Sequence, residues 1–255
     1  MCFIVFAYDC HPDYLFVLAA NRDEYYSRPT APARFWEEAP DVLAGKDLEQ
    51  SGTWLGISLR GRLAALTNYR DPASHKTGAP SRGHLVKDYL ISSENPLTYL
   101  EKLEKLREEY NGYNLLLMNG GSIWYYSNRI ENPFKVSPGI HGLSNHLLDT
   151  PWPKVEKGKT ALSRIIKGSE DVLVASLFKL LSDCERAGDE DLPRTGVTLE
   201  WERLLSSIFI QSESYGTRSS AVLLVERGGL VRFYERSFGR RGQALNLLTY
   251  CHLMA

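Results

Sequence analysis

Cys2 is the residue in this chain with the most chemistry available to it. Met1 alone precedes it, and a small second residue generally permits removal of the initiator methionine. Cys2 would then carry a thiol and a free α-amine together. The thiolate is the nucleophile and the amine a built-in base, since both titrate about one to two units above neutrality when unperturbed. Such a residue can attack the carbonyl carbon of an amide or thioester. The other reading is a small buried hydrophobe opening a strand, because free cysteine is among the most buried residue types.

Five polar clusters sit at or beside strands. Asn21-Arg22-Asp23-Glu24 follows the second apolar run, where it either caps a strand with an ion pair or lines a cleft. Arg22 and Asp23 are adjacent, so in a regular strand they point to opposite faces. Asn21 with Asp23, or Arg22 with Glu24, can face Cys2; all four cannot unless the strand has ended. Thr67-Asn68-Tyr69-Arg70 closes a strand, and Gly142-Leu143-Ser144-Asn145 follows a hairpin. The amides of Asn68 and Asn145 are donors of the kind that hold an oxyanion, or else turn asparagines. Tyr215–Ser220 brings Arg218 to a strand entrance, either to hold a substrate carboxylate or the terminal amine, or as an edge arginine. Trp54, between Gly52 and Gly56, reads as core rather than a ligand platform.

The elements that must position these groups are mostly hairpins. Residues 2–8 and 15–20 are apolar runs separated by Asp9–Asp13, which predicts a hairpin buried on both faces. Further hairpins are expected over 53–58 with 62–67, 113–119 with 122–127 across Gly120-Gly121, and 221–226 with 230–235. Helical spacing predicts helices over 83–92, 96–109, 154–167, 170–184 and 198–206, with Asn95 capping and Pro96 in the first turn of the second. The segment 188–196 reads as a surface loop. Antiparallel hairpins with segregated helices indicate an α+β fold. Two stacked, mainly antiparallel sheets with helices outside, a four-layer αββα sandwich in one domain over 1–255, is the economical arrangement.

Composition removes several function classes. The net charge of −1 argues against a nucleic-acid partner. No run of 18 apolar residues predicts an integral membrane segment, and the first apolar stretch is too short for a signal peptide. The cysteines Cys2, Cys10, Cys184 and Cys251 form no CxxC pair, so neither a zinc site nor a disulfide framework is expected. A reducing, cytoplasmic location fits them. The histidines contain no HExxH, and no metal is expected.

The segments MCFIVFAY, LAANRDEYYSRP, SGTWLGIS, GRLAALTNYRDP, YNGYNLLLMN, GLSNHLLDTPWPKV, YGTRSSAVLLV and FYERSF strongly resemble the NRDE-motif family, in order over nearly the whole chain. That resemblance implies an N-terminal-nucleophile hydrolase-like fold. Within such folds the pattern is similar to choloylglycine hydrolases and penicillin V acylases. It would make Cys2, Arg22, Asp23, Asn68, Asn145 and Arg218 the catalytic set. In those acylases the early arginine and aspartate are spaced apart, whereas Arg22 and Asp23 are neighbours here.

Two functions follow. In the first, Cys2 attacks an acyl substrate, its amine takes the proton, Asn68 and Asn145 hold the oxyanion, and Arg22 and Asp23 orient the amine and thiol. Hydrolysis of this kind needs no cofactor. In the second, drawn from the family's links to haem trafficking, acyl-CoA and lipid homeostasis and Golgi organisation, the same fold is a carrier for haem or an acyl-CoA. The chain has no CxxCH, so haem would meet a histidine, a tyrosine or Cys2.

Overall fold

The first two apolar runs form strands β1 (Cys2–Tyr8) and β2 (Tyr14–Tyr25). They pair antiparallel from Cys2 opposite Arg22 to Tyr8 opposite Phe16. Then come β3 (Thr30–Phe35), β4 (Val42–Asp47), β5 (Leu55–Ser58), β6 (Leu63–Asn68), α1 (Gly83–Ile91) and α2 (Pro96–Lys105). The hairpin of β7 (Tyr113–Asn119) and β8 (Ser122–Ser127) follows, with short strands β9 (Phe134–Lys135) and β10 (Gly139–Leu143). Helices α3 (Pro153–Ile165), α4 (Glu170–Leu181) and α5 (Leu199–Leu205) precede β11 (Tyr215–Glu226), β12 (Leu230–Phe238) and β13 (Ala244–Leu253). This computed structural model describes residues 2–168 and 170–253, and Met1 lies outside them.

The chain divides into two units. The first holds the residues up to Ser27, Pro138–Ser144 and Leu148–Cys251; the second holds Arg28–Ser137, Asn145–Leu147 and the residues from His252. One sheet runs β10-β1-β2-β11-β12-β13 and the other β3-β4-β5-β6-β7-β8-β9. The described pairings are antiparallel, as the hairpin reading requires. The α+β class is therefore the observed one.

Strand alternation decides what each sheet buries. In the first unit Phe3, Val5, Val17, Ala19, Val222 and Leu224 share one face and pack against Leu162 of α3 and Leu173, Leu177 and Leu181 of α4. Each large apolar side chain so buried contributes about 1.5–3 kcal/mol. Helix α3 comes close because residue 158 is glycine: a Cβ there would lie 2.5 Å from the Phe3 ring. In the second unit Val42, Ala64, Leu66, Leu115 and Leu117 meet Val86 and Leu90 of α1 and Leu100 and Leu103 of α2. The expected cap of α2 is present, with the Thr98 amide donating to the Asn95 side chain at 2.9 Å. Among the described residues no helix is long and apolar enough to cross a membrane.

Three differences from the sequence expectations bear on function. Strand β2 does not stop at residue 20 but runs to Tyr25, because β11 supplies it with backbone partners as far as Tyr215 opposite Tyr25. Strand β11 likewise begins six residues earlier than expected, at Tyr215 rather than Ala221. Strands β3, β4, β9, β10 and β13 are not among those expected from the sequence. The segment 188–196 carries only a short 3-10 turn at Asp189–Asp191.

Arg62, just before β6, is a structural cation. It is buried, its guanidinium lies 4.0 Å from the centre of the Tyr89 ring, and its Nε–H donates to the Tyr89 carbonyl at 3.0 Å. Its Nη2 donates to Ser92 Oγ at 3.1 Å and to the Glu94 carbonyl at 2.6 Å. These acceptors lie at and just past the end of α1, where helix carbonyls lack partners. Arg62→Ala is expected to cost about 3 kcal/mol, since it strands buried acceptors. The urea midpoint measures this, and an unchanged midpoint would contradict the capping role.

Candidate functional site

Strand β2 carries Asn21, Arg22, Asp23 and Glu24 through the middle of a sheet; the first two have described partners on both sides and the last two on the β11 side. Phe3 stands opposite Asn21 and Cys2 opposite Arg22. On the other side Ser220 meets Asn21, Ser219 meets Arg22 and Thr217 meets Asp23. The one-residue offset between Thr217 and Ser219 is a bulge that leaves Arg218 without an opposite number. The pleat therefore divides the cluster: Arg22 shares a face with Cys2, while Asn21 and Asp23 share the helix-covered face.

Asn21 is fully committed to structure. It is buried, its Nδ2 donates to the carbonyls of Leu181 at 2.8 Å and Ile208 at 2.9 Å, and its Oδ1 accepts from Ser220 Oγ at 2.6 Å. It ties the end of α4 and the approach to β11 onto the sheet. Asp23 is buried on the same face and accepts from Thr217 Oγ1 at 2.7 Å. Burial holds its carboxyl above the ordinary carboxylate range, and the buried Lys154 ammonium, in the first turn of α3, offsets only part of that rise. Lys154 is the charged neighbour that sequence reasoning missed. The string PWPK placed it at a helix start but gave no hint that its head is buried.

Cys2 opens β1 and is 7% exposed. Its carbonyl accepts from Ser144 Oγ at 3.2 Å. Burial pushes the thiol above its ordinary range; the Asp23 charge adds to the rise and the Arg22 charge opposes it. At neutral pH the sulfur is therefore a thiol, and attack on a carbonyl needs a base to take its proton. Protein retaining Met1 is expected to alkylate at Cys2 more slowly at pH 7 when folded than in urea. Because the folded pKa is raised, the rate climbs as pH rises through and past the ordinary thiol range of about 8.5. Peptide-resolved iodoacetamide labelling across pH measures this; a profile matching the unfolded chain would contradict it.

Arg218 is half-buried in the bulge. Its Nη1 donates to the Tyr25 carbonyl at 3.0 Å, and its guanidinium lies 5.7 Å from the Tyr26 ring centre. Gly216 makes room for that ring, since a Cβ there would lie 2.2 Å from the Tyr26 hydroxyl. Burial, followed by repulsion from Arg22, lowers the proton affinity of Arg218. Arg22 and Arg218 thus feel each other's charge, an arrangement suited to an anionic group.

Asn68 and Asn145 both belong to the second unit and are in contact there. The Asn145 Nδ2 donates to the Asn68 main-chain carbonyl at 2.9 Å, and the Asn145 carbonyl accepts from the Arg70 amide at 2.7 Å. The link runs through Asn68's backbone rather than its amide. The six expected residues thus form two sets: Cys2, Arg22, Asp23 and Arg218 in one unit, Asn68 and Asn145 in the other. Beside the second set lies a pair that sequence reasoning did not single out. Tyr69 Oη and His146 Nε2 are 2.8 Å apart, with ring centres at 4.9 Å. The His146 carbonyl is held by Asn114 Nδ2 at 2.9 Å, and Asn114 is pinned by Thr67 and Tyr125. Adjacency to Asn68 and Asn145 was the available signal. Trp54 is half-buried, its ring filling the space beside Gly45. No group of three His, Cys, Asp or Glu able to hold a metal ion occurs among the described residues.

An α+β chain of two antiparallel sheets, each backed by helices, with a buried cysteine set across from an arginine, defines the class of protein. The chain belongs to the Transport and Golgi organisation 2 family, whose pattern matches residues 1–240. It is 41% identical over 261 residues to the bovine Transport and Golgi organization protein 2 homolog, covering 93% of each chain. It is 40% identical over 257 residues to the human homolog, again covering 93% of each. Among solved structures it is similar to a variant of conjugated bile acid hydrolase from Clostridium perfringens. That likeness has a TM-score of 0.49 at 10% identity, over 100% of this chain and 98% of that one.

Proposed function

We propose that this chain is a hydrolase of amide or thioester bonds in acyl substrates, with Cys2 as nucleophile. The observation that supports it is the register of Cys2 opposite Arg22, with Arg218 close enough to Arg22 to feel its charge. The Cys2 sulfur attacks the substrate carbonyl carbon, and the proton passes to the Cys2 α-amine once Met1 has been removed. Negative charge forming on the carbonyl oxygen is stabilised by the Arg22 guanidinium, which stands opposite Cys2. The leaving nitrogen or sulfur takes the proton, an acyl-cysteine remains, and water releases it. Intact mass of protein purified from its source tests the first requirement, and Met1 retained throughout would remove the base. Incubation with acyl thioesters and N-acyl amides tests the second: an acyl adduct on the Cys2 peptide is expected, and its absence across the panel would refute the mechanism.

The Tyr69–His146 pair favours a second function, a haem carrier on the same fold. A tyrosine oxygen is an established haem-iron ligand, and an imidazole at 2.8 Å can take the phenol proton that ligation releases. Burial lowers the His146 pKa, so the ring is neutral and able to accept. Haem titration read in the Soret band tests it: Tyr69→Phe should abolish the shift, and unchanged binding would exclude this pair.

A further inference from the structure

Each sheet edge in this protein exposes backbone N–H and C=O groups that another strand can use, and three of the four edges are defended. Strand β3 contains Pro32 and Arg34 and has a register shift between Ala31 and Arg34. Strand β9 is two residues long and ends in Lys135. Strand β10 has five residues and is closely covered by α3, whose Val155 would touch a Cβ at Gly142 at 2.7 Å. Proline, charge, shortness, bulges and cover are the devices by which natural sheets avoid edge-to-edge pairing.

Strand β13 lacks the proline, the charge and the shortness. It is the outer strand of the first sheet, ten residues long, with the sequence ALNLLTYCHL. It contains no Lys, Arg, Asp, Glu or Pro. Leu245, Leu247 and Leu253 are 63%, 53% and 61% exposed and lie on one face with Thr249 and Cys251. That face reads Leu-Leu-Thr-Cys-Leu, nearly the same in both directions. An antiparallel copy turned about Thr249 sets Leu245 opposite Leu253, Leu247 opposite Cys251 and Thr249 opposite itself. No like charges meet in this register. Strand β13 also lies beyond residues 1–240, the part that matches the family pattern.

We propose that β13 is a homodimerisation strand, pairing antiparallel with β13 of a second copy about a two-fold axis at Thr249 and joining the two six-stranded sheets into one. Such a contact is isologous and closes at two copies. Backbone hydrogen bonds supply its direction, and the leucine pairs supply burial of surface now in water.

Sedimentation of the full-length chain at micromolar concentration is expected to give a dimer. Directly opposed residues have Cβ atoms about 4.5–5.5 Å apart, so Thr249→Cys in a Cys251→Ser background should give a covalent dimer on mild oxidation. Leu247→Lys should raise the dimer dissociation constant about tenfold or more, by removing an apolar pair on each side of the axis. Both side chains are exposed, so far-UV circular dichroism should confirm that the variants fold. A monomeric full-length chain, an open polymer, or a dimer untouched by Leu247→Lys and not cross-linked through position 249 would each overturn the proposal.

Discussion

Cys2→Ala is expected to lower turnover of any acyl substrate by at least about 10³-fold, with little change in stability, since removing a catalytic nucleophile commonly costs that much or more. The side chain it truncates is one of the smallest in the buried set, so any cavity is small. The two measurements together separate the two meanings of a buried cysteine. A packing residue would move the melting temperature and leave rate alone. A nucleophile does the reverse, and Cys2→Ala with full activity would end the hydrolase mechanism. The wild-type rate also carries a pH signature. Burial raises the thiol, so wild-type turnover limited by thiolate formation should increase from neutral towards alkaline pH.

The largest stability effect is expected from Asn21→Asp. The change is almost isosteric, but it replaces an amide that gives two hydrogen bonds with a group that gives at most one. The Leu181 and Ile208 carbonyls, at 2.8 and 2.9 Å, would face a carboxylate oxygen instead of N–H. Unsatisfied buried acceptors and a desolvated charge together should cost about 3–5 kcal/mol, read as a shift of the urea midpoint. Burial would raise the new carboxyl above its unfolded value of about 3.9. The folded chain then binds more protons than the unfolded one, so the variant loses stability as pH rises through that window. A loss below about 1 kcal/mol, or one independent of pH between 4 and 8, would mean that the amide is not the clamp it looks to be.

Much of the architecture could be read from residue order, for local reasons. The runs CFIVFAY and LFVLAA, the Gly120-Gly121 turn and the leucines of residues 97–106 each carry their own period. The face argument at Arg22 was also sound: Arg22 and Asp23 do part company across the sheet, and it is Arg22 that stands by Cys2. The missing parts depend on partners distant in the chain. Strand β2 continues past Ala20 because Tyr215–Ser220 arrives beside it, and an apolar count sees only its end. The partners of Asn21 are main-chain carbonyls, which no residue pattern displays. Strand β3, with Pro32 and Arg34, looks like a loop until β4 is laid against it. Lys154 and Tyr69–His146 depend on which heads are buried, something only packing decides.

The division of residues 21–24 across the pleat has a consequence for anyone reading variants in this stretch. Tolerance should oscillate with a period of two. Changes at 21 and 23 should surface as reduced protein abundance, whatever the assay measures. Changes at 22 fall on the Cys2 face instead and, where Cys2 is the nucleophile, should lower acyl turnover beyond any loss of abundance.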